Sequence, residues 1–477
     1  MLLLCASTLV AQDLSSRLDG FLDQYATQRG FRGTVMVAED GKLLYARGFG
    51  LADPARGLQN GPQVQYRVAS ITKSFTAAMI MRLVEQGKLA VNDPITKYLP
   101  AYRHDTGDRV TIHHLLTHSS GIPDFANKPE WRDRATEAMP SLDEMIQKYC
   151  SDDLAFEPGS KYAYCSAGYV LLGAIIQKVT GQTYDQALHA LLLDPAGMKN
   201  SGLDCSGLTL PARAPGFDIG FGDTLPACQA FNIDWIGAAG AMYVTPEDMV
   251  KWDQFLADPS SMSRATLRLM QTPHIKMSAN GPAYGYGVTL DRKVKNRAGD
   301  SILVVFHQGG MPGVSSLFAR VPGTKQMVFI VSNVSGAPVL AMGEGIFSLI
   351  NGYTAPSLKP SFARALYQAI GTKGMKDGVR DIESEHRASP QRYEVSEGEL
   401  SILGHQYLRE HKTDAAADVF GLTVRLFPKS ARAMNDLGEC ALAMDQKEKA
   451  IGFYKRSLEL DPAAKTAREA LQKLGVN

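Results

Sequence analysis

Residues 397–464 repeat themselves. Aligning Glu397–Ser430 on Ala431–Ala464 gives a period of 34 residues, with Leu400 matching Met434, Leu403 matching Leu437 and Gly404 matching Gly438. The register continues through Ala416 with Ala450, Phe420 with Tyr454 and Pro428 with Pro462. A period of this length holds two helices and their turns. The small residues let the helices approach, the large ones fill the gap, and the proline ends the second helix. Residues 397–477 are therefore expected to be stacked helical hairpins with a capping helix at Lys465–Leu474. Two repeats leave one end uncovered, since such arrays usually need about three. The helical text at Phe362–Ile370, or the preceding domain, is expected to cover it.

This pattern resembles tetratricopeptide repeats, which implies a protein partner for the segment.

The rest of the chain reads differently. Thr34–Ala38, the turn Asp40-Gly41 and Leu43–Ala46 form a β-hairpin pattern. A second strand group lies far away, at Ile302–Phe306, Ser315–Val321 and Gln326–Val331, with Pro322-Gly323 turning between the last two. The text between is mostly helical. The simplest assembly is α+β: one antiparallel β-sheet built from both strand groups, flanked by helices with an all-helical subdomain, followed by the small all-α repeat domain. The expected boundaries are 1–11 for a leader, 12–355 for the first domain, 356–396 for a helical linker and 397–477 for the repeats.

Lys and Arg number 50 against 49 Asp and Glu, a net charge of +1 that calls for neither nucleic acid nor an anionic membrane. Leu2–Ala11 is apolar and small, the pattern of a signal peptide ending near Ala11, which predicts an exported, periplasmic or secreted protein. No later run is apolar and long enough for a transmembrane segment. Removal of Cys5 with that leader leaves Cys150, Cys165, Cys205, Cys228 and Cys440. Cys205 and Cys228 flank a Gly/Pro-rich stretch, where a loop disulfide and two free thiols are equally compatible with the sequence.

Ser70 and Lys73 form the chain's one Ser-x-x-Lys, immediately before the helical spacing of Phe75, Met79 and Leu83. Residues three apart share a helix face, so hydroxyl and amine point the same way. Free N–H groups at a helix start favour negative charge there. This is the apparatus of an acylated serine. A capped surface helix with a solvated lysine fits the same four residues.

Three other segments carry chemistry. Tyr164-Cys165-Ser166 stands between the turn Glu157-Pro158-Gly159 and an apolar helical run. Tyr164 is a candidate general base or proton relay if a cation such as Lys73 lowers its phenol; a hydrogen-bonded structural tyrosine is the alternative. Tyr149-Cys150-Ser151 fits the same tripeptide without that context. His307-Gln308-Gly309-Gly310 follows a buried-looking strand. Its edge can offer an N–H to an oxyanion, or simply turn the chain. His113, His114 and His118 lack a matching carboxylate motif, so no metal or cofactor is expected.

Together these segments resemble the serine β-lactamase and penicillin-binding family, in its class C, D-alanyl-D-alanine carboxypeptidase and esterase branch. The matching texts are Val68-Ala69-Ser70-Ile71-Thr72-Lys73-Ser74-Phe75, Leu115-Leu116-Thr117-His118-Ser119-Ser120-Gly121-Ile122, Tyr164-Cys165-Ser166 and His307-Gln308-Gly309-Gly310. The resemblance implies Ser70 as nucleophile, Lys73 as its activating amine, Tyr164 as base, and the Ser70 and Gly310 amides as oxyanion hole, with Ser166, His307 and Gly309 beside the substrate. Two residues depart from the pattern. Ser166 stands where the family carries Asn, and His307 where β-lactamases and peptidases carry lysine. The implied substrates are small esters, amides of D-amino-acid type or peptidoglycan-type peptides. Should His307 meet a substrate carboxylate, turnover would rise below about pH 6.5, where histidine gains charge. The competing expectation is a penicillin-binding sensor or a peptide-binding scaffold without efficient turnover, using its repeats for protein partners.

Overall fold

A computed structural model describes residues 2–128, 131, 134–222 and 224–476, with side chains from residue 13 onward. The expected leader at 1–11 thus falls on side chains outside the described residues. The chain divides into two compact units, one of residues 1–22, 31–218 and 227–356, the other of residues 23–30, 219–226 and 357–477.

The first unit is built on an eight-stranded antiparallel sheet. Its strands are β1 (Gly33–Glu39), β2 (Lys42–Phe49), β3 (Ile275–Lys276), β4 (Ala283–Tyr284), β5 (Thr289–Lys295), β6 (Ser301–Met311), β7 (Val314–Val321) and β8 (Gln326–Ser332). Their order is β2-β1-β8-β7-β6-β5-β4-β3, so the N-terminal hairpin joins the late strands through β1 and β8, with Met36 opposite Phe329. The β1–β2 turn uses Asp40 at φ 51° and Gly41 at φ 72°, as a two-residue hairpin turn requires. β7 and β8 are buried along their whole length because helices cover both faces.

Side chains alternate across the sheet. Met36, Phe318, Met327 and Phe329 face the larger core, shared with helix α2 (Thr72–Glu85), helix α3 (Ser166–Thr180) and helix α4 (Pro246–Ala257). Phe75 of α2 stacks on Trp252 of α4 at 4.2 Å between centroids. Leu317 points to the opposite face, where a Cβ on Gly343 of helix α5 (Val339–Ile350) would meet its Cδ2. Phe21 of helix α1 (Leu2–Arg29) packs against the same helix at Gly345.

Cys205 and Cys228 are separate thiols, so the loop disulfide does not form. Cys228 lies against Gly216 and Gly313, whereas Cys205 sits exposed among the carboxylates of Asp204 and Asp234. Among the described residues no helix is long and apolar enough to cross a membrane.

The second unit is helical. Helices α6 (Phe362–Lys373) and α7 (Met375–Ala388) precede α8 (Glu397–Arg409), α9 (Thr413–Leu426), α10 (Ala431–Ala443), α11 (Lys447–Leu460) and α12 (Lys465–Lys473). Gly404 lies against the Phe420 ring and Gly438 against the Tyr454 ring, the same pair one period apart. Phe362 and Leu366 of α6 share a core with Leu400 and Leu403 of α8 and so cover the first repeat.

Candidate active site

Ser70 lies on a 3₁₀ turn, Ala69–Ile71, that leads into α2. Ala69 adopts φ 49°, a conformation an L-residue rarely takes, which makes the turn before Ser70 tight. Thr72 Oγ1 pins it, donating to Ala69 O at 2.7 Å and accepting from Met242 N at 3.1 Å. From the sheet side, Ser316 Oγ donates to Val68 O at 2.8 Å.

The spacing of three brings Lys73 onto Ser70. Lys73 Nζ donates to Ser70 Oγ at 3.2 Å and to Ala239 O at 2.8 Å. The side chain is 1% exposed. Burial brings the amine down to about 7, against the opposing pull of Asp124 and Cys165. At neutral pH the amine is thus shared between free base and ammonium.

Tyr164 keeps 40% of its surface exposed, yet its hydroxyl is turned inward and hydrogen-bonded to Ser70. Its ring stands 4.8 Å from Lys73 Nζ. Burial pushes the phenol well above its ordinary value, more than the Ser70 hydrogen bond lowers it. The resting form is the neutral phenol, contrary to the expectation of a phenolate held down by Lys73. The reason is burial, which disfavours the charged phenolate. Tyr149, the alternative tyrosine, ends the helix Leu142–Tyr149 and packs edge-on against Trp235 at 5.3 Å.

Ser70, Lys73, Ser166 and Gly310 meet at one cavity of about 430 Å³. Trp131, Phe231, Ile236, Met311 and Pro312 supply its apolar walls, and Gln229 adds a polar group. Gly309 and Gly310 prolong β6 rather than turning away, paired with Ser316 and Ser315 of β7. A Cβ at Gly310 would meet nothing within 4 Å.

His307 does not line that cavity but packs behind it, its ring 6.5 Å from that of Tyr164. It is 5% exposed, its Nδ1 donates to Gln308 O at 2.6 Å, and its Nε2 faces the Tyr284 hydroxyl at 2.9 Å. Burial, then the Lys73 charge, lowers the imidazole to about 3. A ring fixed on both nitrogens and neutral throughout the working range does not anchor a carboxylate. The expected rise in turnover below about pH 6.5 therefore has no basis in His307.

The other histidines are used separately. His113 Nδ1 lies 2.8 Å from the Tyr286 hydroxyl, and His114 Nδ1 accepts from Thr111 N at 3.2 Å. His118 is buried, accepts from Cys165 N at 3.1 Å and packs at a 36° tilt against the Tyr164 ring at 4.3 Å. Among the described residues no group of three metal-ligating side chains forms.

Sequence reasoning missed Ala239 and the apolar walls. Ala239 acts through its carbonyl and has no side-chain signature. The walls come from single residues scattered between positions 131 and 312.

A family model described as Beta-lactamase matches residues 18–347. Esterase EstB of Burkholderia gladioli is 37% identical over 210 residues, covering 41% of this chain and 53% of that protein. Protein flp of Staphylococcus aureus (strain MW2) is 26% identical over 321 residues, 65% of this chain and 61% of that protein. The chain thus aligns with less than two thirds of the length of either relative. The crystal structure of D-amino acid amidase from Ochrobactrum anthropi SV3, in complex with L-phenylalanine amide, superposes with a TM-score of 0.61 at 26% identity. That match covers 71% of this chain and 98% of the amidase.

Proposed function

The chain belongs to the Beta-lactamase family, and from that premise we propose that it is a serine hydrolase working through an acyl-enzyme on Ser70, with esters or D-amino-acid-type amides as substrates. One observation carries this reading: the Lys73 amine, lowered to about 7 inside the protein, stands 3.2 Å from Ser70 Oγ at the floor of a cavity. A base poised near the operating pH is the efficient one.

The steps follow from those contacts. Neutral Lys73 takes the Ser70 proton as Oγ attacks the substrate carbonyl. The ammonium so formed stays hydrogen-bonded to Ala239 O. The oxyanion faces the backbone N–H groups of Ser70 and Gly310, each such donor being worth on the order of 10²–10³ in rate. Tyr164 gives its hydroxyl proton to the leaving alcohol or amine and regains one from Lys73. Water then attacks the acyl ester as Lys73 accepts its proton, and the ammonium returns that proton to Ser70 Oγ as the acyl–Oγ bond breaks and the acid leaves. Ester and amide substrates are supported by an esterase and a D-amino acid amidase among the relatives.

Intact-mass spectrometry over time, with p-nitrophenyl esters, D-amino acid amides and penicillins, tests the reading. An acyl adduct that forms and clears is expected, absent in Ser70→Ala. Labelling retained in Ser70→Ala overturns the nucleophile. A stable stoichiometric adduct favours a sensor over an enzyme.

The repeated Gly404–Phe420 and Gly438–Tyr454 contacts support reading α8–α12 as tetratricopeptide-type repeats that bind a protein partner. Export is proposed on the apolar Leu2–Ala11 alone. N-terminal sequencing of the protein recovered from a periplasmic fraction tests it.

A further inference from the structure

A second cavity, of about 90 Å³, opens beside the catalytic one. Pro312 belongs to both: it lines the catalytic cavity with Gly310 and Met311, and the second with Gly313. Pro312 is exposed, so it forms a low rim between the two rather than a buried partition. The facing wall is continuous as well. Cys228 lies against Gly216 and Gly313 at the second cavity, and the next three residues, 229–231, line the first.

The second cavity has a different chemistry. Arg67 and Arg213 line it, together with Asn333. Arg67 precedes Ser70 by three residues, on a two-residue strand paired with Tyr243 and Val244. Its Nε donates to Asp204 Oδ2 at 2.6 Å, while Arg213 Nη1 donates to Asp204 Oδ1 at 2.8 Å and to Oδ2 at 3.1 Å. The Asp204 side chain is fully buried, whereas those of Arg67 and Arg213 are 29% and 30% exposed. One carboxylate thus holds two guanidinium groups, and an excess positive charge remains. Among the described residues no acceptor stands on the terminal nitrogens of Arg67, nor on Nε and Nη2 of Arg213. The Asp218 carboxylate is engaged outside the cavity, accepting from Ser335 Oγ at 2.9 Å.

We propose that Arg67 and Arg213 form a carboxylate subsite: the substrate is an ester or amide with a carboxylate at the far end of its acyl or leaving group, and the two guanidinium groups receive it across Pro312.

On an open surface water would satisfy such donors. Here they line a recess whose rim is also the rim of the catalytic cavity. Three residues of chain separate the α-carbons of Arg67 and Ser70 by at most about 11 Å, a reach that a short substrate covers. The planar guanidinium fork matches a carboxylate and keeps its charge. It takes up the anchoring task that the neutral His307 does not perform.

This inference rests on the serine-hydrolase reading. The test measures kcat/KM of the full chain at neutral pH on two pairs of substrates. One pair is the mono-p-nitrophenyl ester of pimelic acid and its terminal amide, with the charge on the acyl side. The other is the acetate ester of para-hydroxyphenylacetic acid and its primary amide, with the charge on the leaving group. In the wild type the carboxylate member of at least one pair is expected to be favoured by about tenfold, and the advantage to shrink as salt is raised. Arg213→Gln leaves Arg67 on Asp204 and is expected to lower the charged-to-neutral ratio by about tenfold. Arg213→Lys, which keeps the charge without the fork, is expected to lower it less. No carboxylate preference in either wild-type pair overturns the proposal, and that arm decides even where the variants do not fold. A ratio that Arg213→Gln leaves in place, or an equal loss on both members of a pair, overturns it too. A wild type that forms no acyl adduct with any of these esters overturns the hydrolase reading instead.

Discussion

Gly309 stands so close to Val68 that a Cβ built on it falls 2.0 Å from the Val68 carbonyl oxygen and 2.3 Å from Ser316 Oγ. The contact clamps β6 to the turn carrying Ser70, with Ser316 bonded to the same oxygen. Alanine at 309 must therefore push the strand and the nucleophile apart. Displacing a catalytic group by about 1 Å can cost on the order of 10² in rate. Gly309→Ala is expected to lose acylation by about that factor, measured as the single-turnover rate with a p-nitrophenyl ester. Gly310→Ala, with open space around its Cβ, is expected to leave the melting temperature unchanged.

The Lys73 amine sets the pH profile. Brought down to about 7 by burial, it is a free base above that value and an ammonium below it. Acylation is expected to fall about tenfold per unit as pH drops below about 7. The pH dependence of kcat/KM on a neutral ester checks this. Lys73→Met is expected to lose about 10²–10⁴ in rate and the limb with it.

The sheet was legible because its turn chemistry is local: Asp40-Gly41 announces its hairpin, and the runs at 315–321 and 326–331 are β7 and β8 almost to the residue. The strand β6 is longer than the run Ile302–Phe306, because Gly309 and Gly310 are as compatible with a turn as with a strand edge. They remain in the strand because Ser316 and Ser315 pair with them across the ladder. β3 and β4 have two residues each, too few for any alternation to register. At the site, Ser70 and Lys73 were visible through their spacing of three. The state of His307 was not, because its hydroxyl partner, Tyr284, lies 23 residues away. Asp124 was likewise hidden: nothing in the text Ile122-Pro123-Asp124 relates its carboxylate to the Ser166 N–H 42 positions later.

His307 is held neutral, so carboxylate substrates gain nothing from acid. With the imidazole lowered to about 3, the ratio of turnover on a carboxylate-bearing ester to that on its methyl ester is expected to stay flat between about pH 5 and 7. Parallel profiles on the two substrates check this. Tyr284→Phe removes the hydroxyl facing Nε2 and is expected to cost about 1–3 kcal/mol, read from urea unfolding.

Arg320 on β7 and Asp253 on α4 form an ion pair at 2.8 Å with side chains only 7% and 6% exposed. Removing one partner strands the other in the core, so each single variant is expected to lose about 3–5 kcal/mol. The two losses differ in their pH dependence. Burial raises the Asp253 carboxyl even with Arg320 beside it, and Arg320→Met must raise it further. A carboxyl raised in the folded state contributes stability that is present below its unfolded value and is lost as pH climbs through the folded one. The deficit of Arg320→Met is therefore expected to shrink as pH falls from about 8 to about 5, because the stranded acid takes up a proton. Asp253→Leu leaves a guanidinium that stays charged at any accessible pH, so its deficit is expected to hold constant over the same range. The double variant strands neither group and is expected to be less destabilised than the sum of the singles. Urea unfolding of the four proteins at the two pH values checks all three relations, and additive losses with parallel pH dependence would contradict the pairing.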